Sequence, residues 1–442
     1  MTTTLAILIN ALVLVVFVNR YVSGWFVRLL RGRSFDETTD DFEPTVTVIV
    51  PMFNEGAGIA RTIDSLMAQR YPRAKLDVLV IDDSSADDSH DHALLAAAPY
   101  GRRVRVVRNP VNTGKRRSII RAVRTTDAEI IVSVDSDVVV DAGAIRELVR
   151  RFVTPEIAAV GGRVDIINKH DNWLTRMQTI KYHFAYSFMK NLERSFRRVL
   201  CLSGCLTAYR RAVLVELEPV LDNRSFCGVP IKYGEDRFLT RQIIKAGYHT
   251  TLTLDAVCRT VAPATLGSYF SQQIRWRRSN IVDYVGGASH VWRLNPIIAI
   301  NFFALTGLLV AYPVLLLQAV STGVFFPLMT LHIAVVALFG LVYRLTTRHL
   351  PASERVAALS FIPMTFVMPV AYALLTPLAL FTLDSGSWET RGHVVPEALA
   401  ASSHDDSPLA VTGEFHALRT LALPGEGRVL ELHSGAVEER AG

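Results

Sequence analysis

Glu129-Ile130-Ile131-Val132-Ser133-Val134-Asp135-Ser136-Asp137 is a run of β-branched residues that stops abruptly at two carboxylates. Continuous apolar character over so few residues reads as a strand buried on both faces. The same pattern recurs upstream at Val46–Pro51, Asp77–Asp82 and Val104–Arg108. Helical periodicity fills the intervals, at about 56–69, 86–98, 114–126 and 141–152. Strand–helix alternation at this spacing predicts an α/β domain with a Rossmann-like, mostly parallel sheet covered on both faces.

Ligands of such sheets bind beyond the carboxyl ends of the strands, and the polar clusters of this chain fall there. The first strand runs into Pro51-Met52-Phe53-Asn54-Glu55, the second into Asp82-Asp83-Ser84-Ser85, and the fourth into Asp135-Ser136-Asp137. Three acidic clusters on one edge predict an electronegative pocket for a cation, a polar ligand or both. Asp135 and Asp137 together suit Mg2+ or Mn2+ on a diphosphate. Taken singly, each cluster is also what turns and helix caps require.

Other stretches have two readings each. Asn112-Thr113-Gly114-Lys115-Arg116-Arg117 opens a helix with cations, as an anion site does and as a solvated face does. It lacks the spaced glycines of a nucleotide-hydrolase phosphate loop. Tyr233-Gly234-Glu235-Asp236-Arg237 puts acids at a helix start, either as dipole caps or, at Asp236, as a general base. Gln272-Gln273-Ile274-Arg275-Trp276 lies in an amphipathic run from about Leu266 to Trp292, suited to interfacial anchoring or to gripping a diphosphate and a sugar ring.

The chain has 442 residues, half of them apolar and 20% charged. Its mean hydropathy of +0.27 is high for a soluble enzyme. Leu5–Val18 is apolar except for Asn10 and is followed by Arg20, Arg28, Arg31 and Arg33, which predicts an anchor with its arginines on the cytosolic side. Pro296–Val320 and Ser321–Tyr343 contain no Asp, Glu, Lys or Arg and are each long enough to span a bilayer. Val356–Leu383 is equally uncharged but holds Pro363, Pro369 and Pro377, so it reads as kinked and re-entrant or spanning. The net charge is +6, and the last fifty residues, from His393, carry eight acids and three arginines. The arginines concentrate beside apolar segments, which favours a membrane surface and an anionic substrate over nucleic acid. Cys201, Cys205, Cys227 and Cys258 match no metal-ligand spacing and are expected as reduced thiols.

In this order the motifs resemble the membrane-integrated processive members of family 2 of the glycosyltransferases. They are the strand-end pair Asp82-Asp83, the DxD of Asp135 and Asp137, the pair Glu235-Asp236, and QxxRW at Gln272, Arg275 and Trp276. Cys201-Leu-Ser-Gly-Cys205 and Ser387-Trp388-Glu389-Thr390-Arg391 are similar to the acceptor and gating segments of hyaluronan synthases and nodulation-type chitooligosaccharide synthases. Cys205 stands where those synthases commonly carry Pro, and Glu389 where they carry Gly.

The resemblance implies a GT-A domain plus interfacial and transmembrane helices. That domain would transfer sugar from a UDP-sugar (UDP-GlcNAc, with or without UDP-GlcA) to a growing glycan, with inversion. Nucleotide contacts would come from Pro51, Asn54, Glu55, Asp82, Asp83, Lys115, Arg116, Asp135, Arg275, Trp388 and Arg391. Asp137 with Asp135 would hold Mg2+ or Mn2+. Asp236, beside Glu235, would be the base, and Cys201, Ser203, Gly204, Cys205, Gln272 and Trp276 would seat the acceptor. A single-addition transferase that loads a lipid carrier is the alternative.

The expected organisation is an anchor and basic linker (1–43) and a cytosolic catalytic domain (44–265). Interfacial helices (266–295) and C-terminal membrane helices (296–383) follow, then a gating segment (384–392) and an acidic tail (393–442). The implied partners are the UDP-sugar donor, the glycan and the lipid bilayer, and the implied location is the cell membrane.

Overall fold

The computed structural model describes residues 37–385. The expected anchor up to residue 36, the Trp388 and Arg391 positions, and the tail lie outside the described residues.

Ten strands form. They are β1 (Val46–Met52), β2 (Leu76–Asp82), β3 (Val104–Arg108), β4 (Ile130–Val134), β5 (Val139–Val140), β6 (Ile157–Ile166), β7 (Leu206–Arg210), β8 (Ser225–Phe226), β9 (Val229–Pro230) and β10 (His249–Thr260). Eight of them make one sheet in the order β3-β2-β1-β4-β7-β6-β10-β5. The four predicted strands are its first four members, parallel to one another. Every residue of β1 and β4 is buried, which is why these strands read as unbroken apolar runs.

The second half of the sheet departs from the parallel plan. β7 enters antiparallel between β4 and β6, with Val134 opposite Leu206. An antiparallel neighbour begins where its partner ends. The residues just before β7, Cys201–Cys205, are thereby brought to the end of β4, where the DxD turn begins. Parallel register does the same work on the other side, setting Met52 beside Asp82 and Asp82 beside Arg108.

The catalytic-domain helices are α1 (Gly58–Met67), α2 (Ser89–Ala97), α3 (Lys115–Arg124), α4 (Ala144–Val149), α5 (Trp173–Phe184), α6 (Asn191–Arg194), α7 (Arg211–Asp222) and α8 (Glu235–Lys245). Asn172 starts α5 with a capping box, its side chain accepting from the Leu174 and Thr175 amides. A π-helical turn, Ala185–Lys190, separates α5 from α6. One core, from Val46 to Cys258, fills the sheet and its helices.

The long amphipathic helix forms as α9 (Leu266–Val291). α10 (Pro296–Ser321) and α11 (Phe325–Thr346) follow, divided at Thr322–Val324. By length and composition α11 can cross a membrane, and α10 adds a span if its halves, bent by 44°, count as one. Pro313 accounts for that bend, because it removes the bond to the Leu309 carbonyl and crowds it. In the third apolar stretch, Ala352–Phe361 and Met364–Leu380 meet at 65°. The latter contains α12 (Met364–Val370) and α13 (Thr376–Leu380). A second apolar core joins Leu174, Met177 and Phe184 of α5 to Tyr269 of α9, Val336 of α11 and Phe361. The helices α9 and α11 are thus packed on α5.

Candidate active site

The three acidic clusters meet at one sheet edge. Lys115, the first residue of α3, ties two of the motifs together. Its Nζ lies 2.5 Å from Asp135 Oδ1 and 2.9 Å from Glu235 Oε1. Burial opposes that charge, but the two carboxylates outweigh it and hold the Lys115 pKa well above its ordinary value. Gly114, at φ 84°, makes the entry turn that delivers Lys115 to the cleft. Gly204 faces the same ammonium group.

Asp82 and Asp83 are both buried and differently employed. Asp82 Oδ1 accepts from the Ser85 amide at 2.9 Å, and its Oδ2 lies 3.2 Å from His90 Nδ1 and 3.3 Å from Arg108 Nε. Asp83 accepts from the amides of Thr113 and Gly114 at 3.0 and 2.7 Å, and from Asn109 Nδ2 at 2.6 Å. Its carboxylate therefore shapes the loop that presents Lys115. Arg116 donates to the carbonyls of Ile231 and Asp222, bracing the segment that leads to Glu235.

Pro51 is buried inside β1. Asn54 turns the chain at φ 50° and accepts from the Ala86 amide at 2.9 Å. Glu55 accepts from Ser136 Oγ at 2.8 Å, which joins the first cluster to the DxD turn.

Asp236 lies at the start of α8, its Oδ1 accepting from the Arg237 amide. Burial first, and the neighbouring Glu235 charge second, raise its pKa above the usual carboxylate value. Glu235 moves the opposite way: burial pushes it up, but Lys115 wins and holds it low. Two adjacent carboxyls are thus driven apart, the pattern of one fixed anion and one proton acceptor. Gly234, at φ 67°, permits this turn. A Cβ there would stand 2.7 Å from the Ser279 Cβ, so α8 is seated directly on α9.

The acceptor-type turn comes in beside them. Thr240 Oγ1 donates to the Asp236 carbonyl and accepts from the Leu202 amide, fixing the turn to α8. The Cys205 thiol is held protonated by burial first and then by the charges of Asp135 and Asp137, and burial pushes the Cys201 thiol up to about 11. Neither is disposed to act as a nucleophile. The four cysteines are free of disulfides.

On α9, Trp276 lies 6.4 Å from the Tyr182 ring, and Gln272 accepts from Gln273 Nε2 at 3.4 Å. Arg275 Nε is buried with no hydrogen-bond partner among the described residues. That donor, with Lys115, suits a diphosphate. No group of three or more His, Cys, Asp or Glu side chains suited to a metal occurs among the described residues. Asp135 and the exposed Asp137 nevertheless fit a hard divalent cation whose remaining oxygens come from diphosphate and water.

Several residues packed around the motifs belong to none of them and are not legible from spacing. They include Lys181 and Tyr182 of α5, Tyr186 of the π turn, and Asp283 of α9. Asp283 is buried 2.8 Å from Arg241 and binds α9 to α8. Only the four-residue spacing of Tyr182 and Tyr186 hints at a shared helix face.

Residues 44–279 match the family described as "Glycosyltransferase like family 2". A protein named N-acetylglucosaminyltransferase from Rhizobium meliloti (strain 1021) is 30% identical over 420 residues, 93% of this chain and 96% of that one. Another of that name, from Rhizobium sp. (strain N33), is 34% identical over 288 residues, and the match spans 63% of its length. Among solved structures, the Pyrobaculum calidifontis mannosyltransferase in complex with GDP-Man and Mn2+ superposes with a TM-score of 0.59 at 21% identity. That match covers 86% of this chain and all of the other. The shared fold is that of a GT-A transferase. With its family-wide match and its near full-length relative, the chain belongs to family 2 of the glycosyltransferases.

Proposed function

We propose that this transferase takes N-acetylglucosamine from UDP-GlcNAc and adds it, with inversion and repeatedly, to the end of a β-linked glycan that leaves through the membrane helices. The observation that carries the reading is the junction at Lys115. One ammonium group bridges Asp135 and Glu235, with the Gly204 turn against it, so donor, base and acceptor elements share one cleft. The names of the relatives supply the sugar.

In this reading the acceptor hydroxyl approaches Asp236, which takes its proton as the oxygen attacks the anomeric carbon. The bond from that carbon to the diphosphate breaks, and UDP departs with the electron pair. Arg275 and Lys115 face the charge that develops on it. Asp135 and Asp137 would hold Mg2+ or Mn2+, which would neutralise charge on the diphosphate. Asp82 and Asp83 hold the uridine end of the pocket, and Trp276 gives the terminal sugar a flat face.

Hydrogen bonding supports a re-entrant course for the last apolar stretch, with the catalytic domain cytosolic in the cell membrane. Its beginning is tied to the catalytic domain by Lys169 Nζ to Glu354 Oε2 at 3.1 Å. Its end is tied there too, by Tyr233 OH to the Leu383 carbonyl at 2.8 Å, and to α9 by Arg278 Nε to Thr382 Oγ1 at 3.0 Å. Such a course starts the gating segment next to Tyr233, to which Leu383 is bonded.

The test is UDP release and product sizing by the purified chain in nanodiscs with Mn2+. UDP-GlcNAc alone should give a chitinase-sensitive product. Polymer formed only when UDP-GlcA is added would replace this reading with a hyaluronan-type synthase. Turnover only with an added lipid phosphate would replace it with single addition to a carrier.

A further inference from the structure

Facing the Gln272–Trp276 motif, α5 carries a cation in a costly setting. Lys181 Nζ donates to Gln273 Oε1 at 2.8 Å and lies 5.5 Å from the ring centroids of both Tyr269 and Trp276. These three residues form one stripe of α9, spaced by four and three positions. A single charge therefore touches the helix at three successive points, and the last of them is the tryptophan of QxxRW.

No carboxylate pairs with Lys181 among the described residues; the charge that faces it is Arg277, also of α9 and also positive. The titratable groups around it are Tyr269 of α9 and its own neighbour Tyr182 on α5. Burial, with Arg277 adding to it, brings the Lys181 pKa down to about 8. An ammonium group enclosed without a counter-ion destabilises a fold, and a methionine would fill the same space without that cost. Two aromatic faces and an amide oxygen are what hold it in place.

The same helix reaches the other half of the acceptor region. The Tyr186 ring stacks on Tyr182 at 6.5 Å and 30°, and its hydroxyl lies near the Ser203 side chain. Tyr186 falls in the π-helical turn, where the extra residue re-aims the side chains that follow α5. The α5 face thus connects Trp276 with the Cys201–Cys205 turn, two elements that belong to different parts of the chain.

We propose that Lys181 is a positioning residue of the acceptor site, its ammonium group fixing the Trp276 ring and the Gln273 amide in the pose that receives the terminal sugar. The proposal rests on the reading of Trp276 as the acceptor's platform. Lys181 touches neither the donor nor the reacting atoms in this scheme, so its effect falls on acceptor affinity. Deprotonation removes the cation–π attraction to both rings and turns a charged donor into a neutral amine, so the pose is lost as pH rises.

The test is initial-rate kinetics of the full chain in nanodiscs, with UDP-GlcNAc as donor and chitobiose as acceptor, between pH 6 and 10. Lys181→Met should raise the acceptor KM about tenfold and leave the donor KM within about twofold, the size expected for one enclosed cation–π contact. Lys181→Arg, which keeps the charge, should recover most of that loss. The wild-type kcat/KM for chitobiose should fall on the alkaline side with an apparent pKa of about 8. Lys181→Met should lack this limb, and Lys181→Arg should carry it beyond the measured range.

An active wild type with Lys181→Met unchanged in acceptor KM, or showing the same alkaline limb, overturns the proposal. So does a parallel rise in donor and acceptor KM. Should Lys181→Met not fold, the comparison of wild type with Lys181→Arg decides alone, because identical limbs in those two also overturn it. A wild type that does not turn over UDP-GlcNAc, with or without chitobiose, overturns the functional reading, and this proposal with it.

Discussion

Gly204 leaves room for Lys115: a Cβ at position 204 would stand 2.7 Å from the Lys115 Nζ and 3.6 Å from Asp135 Oδ1. The tip of a free lysine would move aside, but this one is held by two carboxylates. Gly204→Ala should therefore push the ammonium group off Asp135 rather than unfold the domain. Activity should drop by on the order of a hundredfold, as for loss of one charge-stabilising group. The melting temperature in detergent should stay within a few degrees. A UDP-release assay alongside a thermal melt checks both halves.

Glu235 and Asp236 set an acid limb. As a base, Asp236 must be unprotonated, so the rate falls as pH drops through its raised pKa. Glu235→Gln removes the adjacent negative charge and leaves Lys115 in place. Both changes favour the ionised Asp236, so its pKa moves down. The acid limb of kcat/KM should shift to lower pH, while the plateau rate falls on the order of tenfold because the base is weaker. Asp236→Asn should abolish transfer and keep UDP binding. A pH–rate profile of the single variants reads this directly.

Asp137 is the exposed member of the DxD pair. If the cation sits there, Asp137→Ala should remove the Mn2+ dependence of UDP binding and cut transfer on the order of a thousandfold. Titration of UDP with and without Mn2+ is the measurement. A variant whose UDP affinity still rises with Mn2+ places the ion elsewhere.

Ser385 closes the described chain, two residues beyond the Tyr233–Leu383 bond. With the four native cysteines replaced, Ser385→Cys should react with a membrane-impermeant maleimide in inside-out vesicles and be protected in right-side-out ones. The reverse pattern would make the last apolar stretch a full crossing.

The first four strands and the acids at their ends were legible because a parallel buried strand writes itself as an apolar run and its ligand-facing end as a polar stop. The division between α10 and α11 was less so. Its turn at Thr322–Val324 carries no charge, and an uncharged turn between two apolar helices leaves only Gly323 as a mark. The antiparallel entry of β7 was not legible, since its residues look like those of any short strand, yet it is what carries Gly204 to Asp135. Asp83 was read as a ligand contact, and its geometry shows four donors from the loop that it shapes. Local sequence left the Lys115 stretch with two readings, an anion site or a solvated face. The Lys115 bridge between positions 135 and 235 depends on long-range folding, and spacing cannot encode it.

The apolar hairpin at the end of the described chain is pinned at both ends. Lys169 holds Glu354 at one side, and Tyr233 and Arg278 hold Leu383 and Thr382 at the other. A rod fixed at one end swings freely, whereas a loop fixed at both can only rock or stretch its pins. When acyl chains lengthen or thin, a buried segment must re-seat to match them, at a fraction of a kcal/mol per Å of mismatch. On the proposed re-entrant course that displacement would arrive at Tyr233, two residues from Glu235, and bilayer thickness would act as a mechanical load on the turn that carries Asp236.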